Sequence, residues 1–152
     1  MHEIENIRSG LQELGSDIAE INSIVEDEPG SWQIFFEDGY AITINFMEEH
    51  KTLELVAVLG SPEADNELEV LRTMFCYQLL WRGRSQPRIA LDAALGSLIC
   101  LHEFDADLIK GHQFKEYILT FWMQAAGLKE IVLGGIPLSL PLAPPESMHL
   151  HA

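Results

Sequence analysis

Basic residues are scarce in this sequence. Its 152 residues carry nine Lys and Arg against 24 Asp and Glu, a net charge of −15. Such a chain repels phosphate backbones and anionic bilayer surfaces, which argues against nucleic-acid partners and membrane insertion. Cysteine is nearly absent. Cys76 and Cys100 stand in separate apolar runs, form no CxxC pair, and read as buried, reduced thiols. No apolar run approaches the roughly 20 residues of a membrane span. The opening Met1-His2-Glu3-Ile4-Glu5 lacks the apolar core of a signal peptide, so the expected location is the cytoplasm.

Apolar residues make up 47% of the chain, enough for one compact domain with a real core. The mean hydropathy of +0.07 is high for a small monomer and points to apolar surface covered by a partner. Ile4, Ile7, Leu11, Leu14, Ile18 and Ile21 recur at three- and four-residue spacing, the stripe of one amphipathic helix. Glu26-Asp27-Glu28-Pro29-Gly30 is expected to end it and turn the chain. Three strands follow over residues 32–37, 40–46 and 53–59, the first two joined at the hairpin signal Asp38-Gly39. Ser61-Pro62-Glu63 reads as a capped helix start, with the helix running to about Trp81. Residues 88–91 and 98–104 read as two more strands, and a last helix is expected to end near Gly127. Beyond Leu128, Pro137, Pro141, Pro144 and Pro145 exclude a regular helix. The predicted fold is α+β, an antiparallel sheet packed against helices in the order α-β-β-β-α-β-β-α. Residues 1–128 form the domain and 129–152 a proline-rich segment, expected to be extended or loosely ordered.

The middle helix has two apolar stripes. Leu68, Leu71, Phe75 and Leu79 form one; Val70, Met74, Tyr77 and Trp81 form the other, nearly opposite. A helix apolar on two sides is buried on two sides, so the second stripe is assigned to a homodimer interface. The strands also carry apolar residues on the wrong face for a single core. With Leu53, Leu55, Ala57 and Leu59 turned inward, Phe35, Val56, Val58, Ile99 and Leu101 turn outward. One explanation is ordinary β-propensity or a sheet covered on both sides. The other is an exposed face that binds an extended peptide.

Signals for chemistry are weak. His2, His50, His102 and His112 lie in separate segments without metal-ligand spacing, and His102 reads as a partly buried core residue. His149 and His151 sit near the end of the sequence without fixed geometry for a metal. Asp105 and Asp107 read as helix-capping or loop acids. Ser85 and Ser97 lack a nucleophile-elbow context, and Gly134-Gly135 precedes no phosphate-loop Lys. No cofactor, metal or catalytic residue is predicted, and the chain is not expected to be an enzyme.

Four stretches taken together carry a resemblance: Gly39-Tyr40-Ala41-Ile42-Thr43-Ile44; Leu53-Glu54-Leu55-Val56-Ala57-Val58-Leu59-Gly60; Ile89-Ala90-Leu91-Asp92 with Gly96-Ser97-Leu98; and Phe114, Phe121 and Ala125. In this order and spacing the chain resembles the class I type III secretion chaperones, the Tir/CesT chaperone family, over about residues 4–127. It departs from the family at Gln78 and Trp81, near where many relatives carry Asn, and in its proline-rich segment. The resemblance implies a bacterial homodimer that holds the extended N-terminal segment of one or more secreted effector proteins, keeping it soluble and secretion-competent. It implies no ATP hydrolysis by the chaperone, and delivery of the complex to the secretion machinery, with the secretion-system ATPase as a candidate partner. The outward residues above would then be the effector-binding face. A small-ligand or enzymatic α+β domain and a dimeric adaptor without holding activity are the alternatives.

Overall fold

A computed structural model describes residues 2–83 and 86–134. The elements follow the order α1 (His2–Asp17), β1 (Ile21–Glu28), β2 (Ser31–Phe36), β3 (Ala41–Met47), β4 (Thr52–Gly60), α2 (Glu67–Leu80), β5 (Arg88–Asp92), β6 (Ser97–Asp105) and α3 (His112–Gly134). Short 3₁₀ turns at Ala64–Asn66 and Ala106–Lys110 lead towards α2 and α3. The strands form one antiparallel sheet in the order β1-β2-β3-β4-β6-β5. This is the expected α+β architecture. Every predicted element is present in the predicted order, and one strand, β1, is added.

That strand begins at Ile21, the last residue of the apolar stripe expected to be helical. α1 stops at Asp17. Ile18 still donates its N–H to Leu14 O at 3.0 Å, and Ile21 opens β1 while remaining buried. Both positions serve the same core from different backbone conformations, so the spacing of buried residues does not reveal the change. The chain reverses at Pro29-Gly30, where Gly30 takes φ +87°. Pro before a positive-φ Gly is the usual chemistry of such a turn. Asp38 closes the next hairpin: its Oδ1 accepts the Tyr40 N–H at 3.0 Å, and Gly39 takes φ +89°.

One face of the sheet forms the core. Ile34, Ile42, Ile44, Leu53, Leu55, Leu59 and Cys100 are fully or almost fully buried, with Ile7, Leu11 and Leu14 of α1, Val70 and Met74 of α2, and Phe114, Ile118 and Phe121 of α3. Burial of this kind contributes about 25 cal/mol per Å². Arg8 anchors α1 to β1 through a two-pronged pair with Glu26, Nε–Oε1 at 2.7 Å and Nη2–Oε2 at 2.9 Å. The guanidinium holds the Glu26 carboxyl below the usual carboxylate range.

Two local expectations differ from the structure, and a third resolves to the solvated one of its two alternatives. Ser61 does not cap α2; its hydroxyl donates to Gly96 O at 2.6 Å and pins the β5–β6 turn. Gly127 does not end the last helix. α3 continues to Gly134 because Leu128 and Val132 still bury apolar area, which outweighs a glycine cost of about 1 kcal/mol. Asp105 precedes the 3₁₀ turn with extended backbone and no side-chain cap bond, and both it and Asp107 are exposed. The proline-rich stretch at 135–152 lies outside the described residues, as do His149 and His151.

Candidate functional site: the outer sheet face and the exposed stripe of α2

The register assembles the outward residues into rows. Val25, Gln33, Thr43, Val56, Leu101 and Arg88 are successive cross-strand partners across all six strands. In the next row Val58 pairs with Ile99, and Ile99 with Ala90. Phe35 pairs with Ala41 further along the same face. The alternation therefore brings Val56, Val58, Ile99 and Leu101 into one block, while Phe35 stands across β3. Val58 is 50% exposed, Phe35 is also exposed, and Val56, Ile99 and Leu101 are half-buried against their neighbours.

Polarity changes along the strands. Two residues from Val56, the row is Ser31, Asn45, Glu54 and Glu103, and beyond it lie Thr52 and Asp105. Thr52 Oγ1 donates to Glu103 Oε1 at 2.9 Å. One end of the face is thus aliphatic and aromatic, and the other acidic.

Between β3 and β4 the sheet opens. Their register begins at Thr43–Val56, and beyond that pair the strands part, Ala41 and Ile42 following β2 while Ala57 and Val58 follow β6. Small side chains at Ala41, Ala57, Ala125 and Ala126 leave the gap unfilled, a cleft of about 350 Å³. Its walls also include Tyr40 and Trp122. Trp122 is fixed twice: its ring stacks on Phe36 at 4.5 Å between centroids, and Nε1 donates to Asp38 Oδ2 at 3.1 Å. Lys129 Nζ lies 4.6 Å from the centre of the Tyr40 ring, a cation–π contact at the rim. No local sequence signal marks this cleft, because it depends on where two strands stop pairing.

The middle helix is turned the other way from its prediction. Val70 is wholly buried and Met74 only 3% exposed, both in the chain's own core. Tyr77 and Trp81 pack against that core, with ring centroids 5.2 Å apart. None of the four belongs to a free apolar stripe. Leu68, Phe75 and Leu79 do: Phe75 is 73% exposed, and the other two also face solvent. Leu91 on β5 and Leu95 in the turn after it are exposed as well. The orientation is fixed by contacts remote in sequence, among them Gln78 Oε1 accepting the Ile89 N–H of β5 at 3.0 Å. Both stripes are apolar, so composition alone could not choose between them.

Residues 10–129 match the Tir chaperone protein (CesT) family. The chain belongs to that family. Two solved structures share its fold. A chain of the HopA1–SchA chaperone–effector complex aligns at 18% identity and TM-score 0.62, covering 81% of this chain and 92% of that one. A chain of the ExsC–ExsE complex aligns at 17% identity and TM-score 0.66, covering 84% and 94%. The curated proteins contain no match to the sequence.

In this chaperone the remaining reactive side chains are scattered. His102 lies opposite Leu55, half-buried, with its ring edge-on to Phe104 at 6.0 Å and tilted against Tyr117 at 6.2 Å. Burial pushes its imidazole below the usual histidine value. Cys100 is buried as expected, and burial pushes its thiol up to about 12. Cys76 is exposed on α2, against the expectation from its apolar neighbours; the stripe it sits beside faces outward. Among the described residues, no three His, Cys, Asp or Glu side chains come together to hold a metal, and no helix is long and apolar enough to cross a membrane.

Proposed function

We propose that this protein, a type III secretion chaperone by its family, holds an extended effector segment on the outer face of its sheet and acts by binding alone. The observation that carries the reading is the block Val56, Val58, Ile99 and Leu101, apolar side chains in cross-strand register and left partly open. The neighbouring acidic row adds a second criterion. A segment with apolar residues followed by basic ones matches the face at both ends. The HopA1–SchA structure, one chain of which shares this fold, is a chaperone–effector complex.

Holding needs no catalytic group and no energy source, because ligand that binds only the unfolded effector shifts its equilibrium by mass action. The segment must lose conformational freedom on binding, and a long wrapped segment offsets that cost through buried area. We assign the homodimer contact to Leu68, Phe75 and Leu79 of α2, with the exposed Leu91 of β5 as a further apolar residue. Delivery to the secretion machinery, including its ATPase, is the downstream step of this reading.

The test is co-purification from the native bacterium with mass spectrometry of the bound proteins. A stoichiometric secreted protein, lost in a Val58→Asp/Ile99→Asp variant that keeps its circular dichroism, is the expected result. A bound metabolite and no protein would overturn the reading.

A further inference from the structure

The β3–β4 cleft is paired with a segment of suitable chemistry in the same chain. Its walls are aromatic and small: Tyr40, Trp122, Ala41 and Ala126, with Val58 and Lys129 at the rim. Aromatic-lined grooves bind extended proline-rich segments, which arrive already ordered and lack N–H groups at proline that would need partners. Helix α3 forms one wall and continues only five residues past Lys129, about 7.5 Å at the helical rise, to Gly134. There the sequence reads Gly134-Gly135, two residues that let a chain reverse at little steric cost. Directly after comes Ile136-Pro137-Leu138-Ser139-Leu140-Pro141-Leu142. Seven extended residues span up to about 23 Å, enough to run back along the cleft and onto Val58.

We propose that this proline-rich segment is an intramolecular ligand of the β3–β4 cleft, seating Leu and Pro side chains against Tyr40 and Trp122. Tethering supplies an effective concentration of about the millimolar range, so a contact too weak to persist between separate molecules is populated within one. The docked segment covers Val58 and Val56, two residues of the candidate effector face. An effector must therefore displace it, a consequence that rests on the proposed function. The docking itself does not, and it is tested without effector.

The full-length protein is compared with a full-length Leu138→Asp/Leu140→Asp variant by ¹H–¹⁵N NMR at several protein concentrations. These substitutions fall after the described end of α3. In the wild type, cross-relaxation between leucine methyls of residues 138–142 and the Tyr40 or Trp122 rings is expected. In the variant these signals are lost, and the largest amide shifts fall on residues 40–43, 56–58 and 122–129. Removing residues 135–152 should reproduce the same shifts, provided circular dichroism is unchanged. Random-coil signals from 136–142 in the wild type, with an unperturbed cleft in the variant, would overturn the proposal. So would shifts centred on α2, or methyl–ring contacts that appear only at high concentration, which would seat the segment on another copy. A failure here leaves the effector reading standing, since co-purification tests that separately.

Discussion

Met74 and Phe75 are adjacent in sequence and opposite in environment, so a pair of single substitutions tests which face of α2 meets the sheet. Met74→Ala removes a side chain from the chain's own core. Large-to-small changes of this kind cost about 2–5 kcal/mol, enough to move a urea midpoint by about 1–2 M at a typical slope. Phe75→Glu alters a ring that already faces solvent, so intrinsic stability should change by no more than about 0.5 kcal/mol. Its effect falls on association. An aromatic side chain buries about 150–250 Å² when covered. Covering the part of Phe75 that is exposed is worth about 3–4 kcal/mol at 25 cal/mol per Å². A two-fold interface loses this twice and sets two carboxylates near each other. Area converts poorly to affinity, so less than half of that total is expected to survive. Even about 3 kcal/mol weakens a dimer more than 100-fold. Light scattering across micromolar concentrations, paired with urea unfolding, reads both quantities. Phe75→Glu should give folded monomer, and Met74→Ala a less stable dimer. A stable Phe75→Glu dimer beside a dissociated, equally stable Met74→Ala monomer would show that α2 is turned the other way.

Further outcomes follow from the same structure. An exposed-thiol reagent should label Cys76 at once and Cys100 only on unfolding, read by mass spectrometry; simultaneous labelling would remove Cys100 from the core. Burial holds the His102 imidazole below 6.5, so the unfolded chain takes the proton first as pH falls. Stability should therefore decline from pH 7.5 to 5.5, continuing until the lower folded value is passed, and His102→Phe should flatten that decline in urea midpoints. An unchanged slope would mean His102 gains no net penalty on protonation. Gly60→Ala places a side chain at φ +99°, with its Cβ 2.9 Å from Leu133 Cδ2. It should cost about 1–3 kcal/mol by thermal or urea unfolding, and a neutral result would mean β4 has shifted.

Much of the sheet was legible because its signals are local. Asp38-Gly39 specifies a turn whoever its neighbours are, and the alternation around Leu53 and Val56 fixes which side chains share a face. The strand β1 was hidden because Ile18 and Ile21 keep a helical spacing while lying beyond the helix. The end of α3 was misplaced because Gly127 signals a stop that Leu128 and Val132 override through burial. The direction of α2 and the cleft beside Trp122 depend on packing between elements far apart in sequence. Two apolar stripes look alike until Val70 and Met74 are seen against their own sheet. The acidic end of the outer face was present in the sequence as Glu54 and Glu103, but only the register of β4 with β6 makes them neighbours.

The Gln78 contact with β5 has a consequence for self-association. The outermost strand of an open sheet offers bare amides to any extended chain, and a surface rich in valine and isoleucine invites copies to stack edge to edge. At Ile89 that amide is already taken by Gln78. At the opposite border, β1 carries register shifts between Ile21 and Ser23 and between Glu26 and Glu28, which bend its line of pairing groups. One amide of the β5 border is thereby occupied and the β1 border is irregular, two features that disfavour edge-to-edge pairing with another copy.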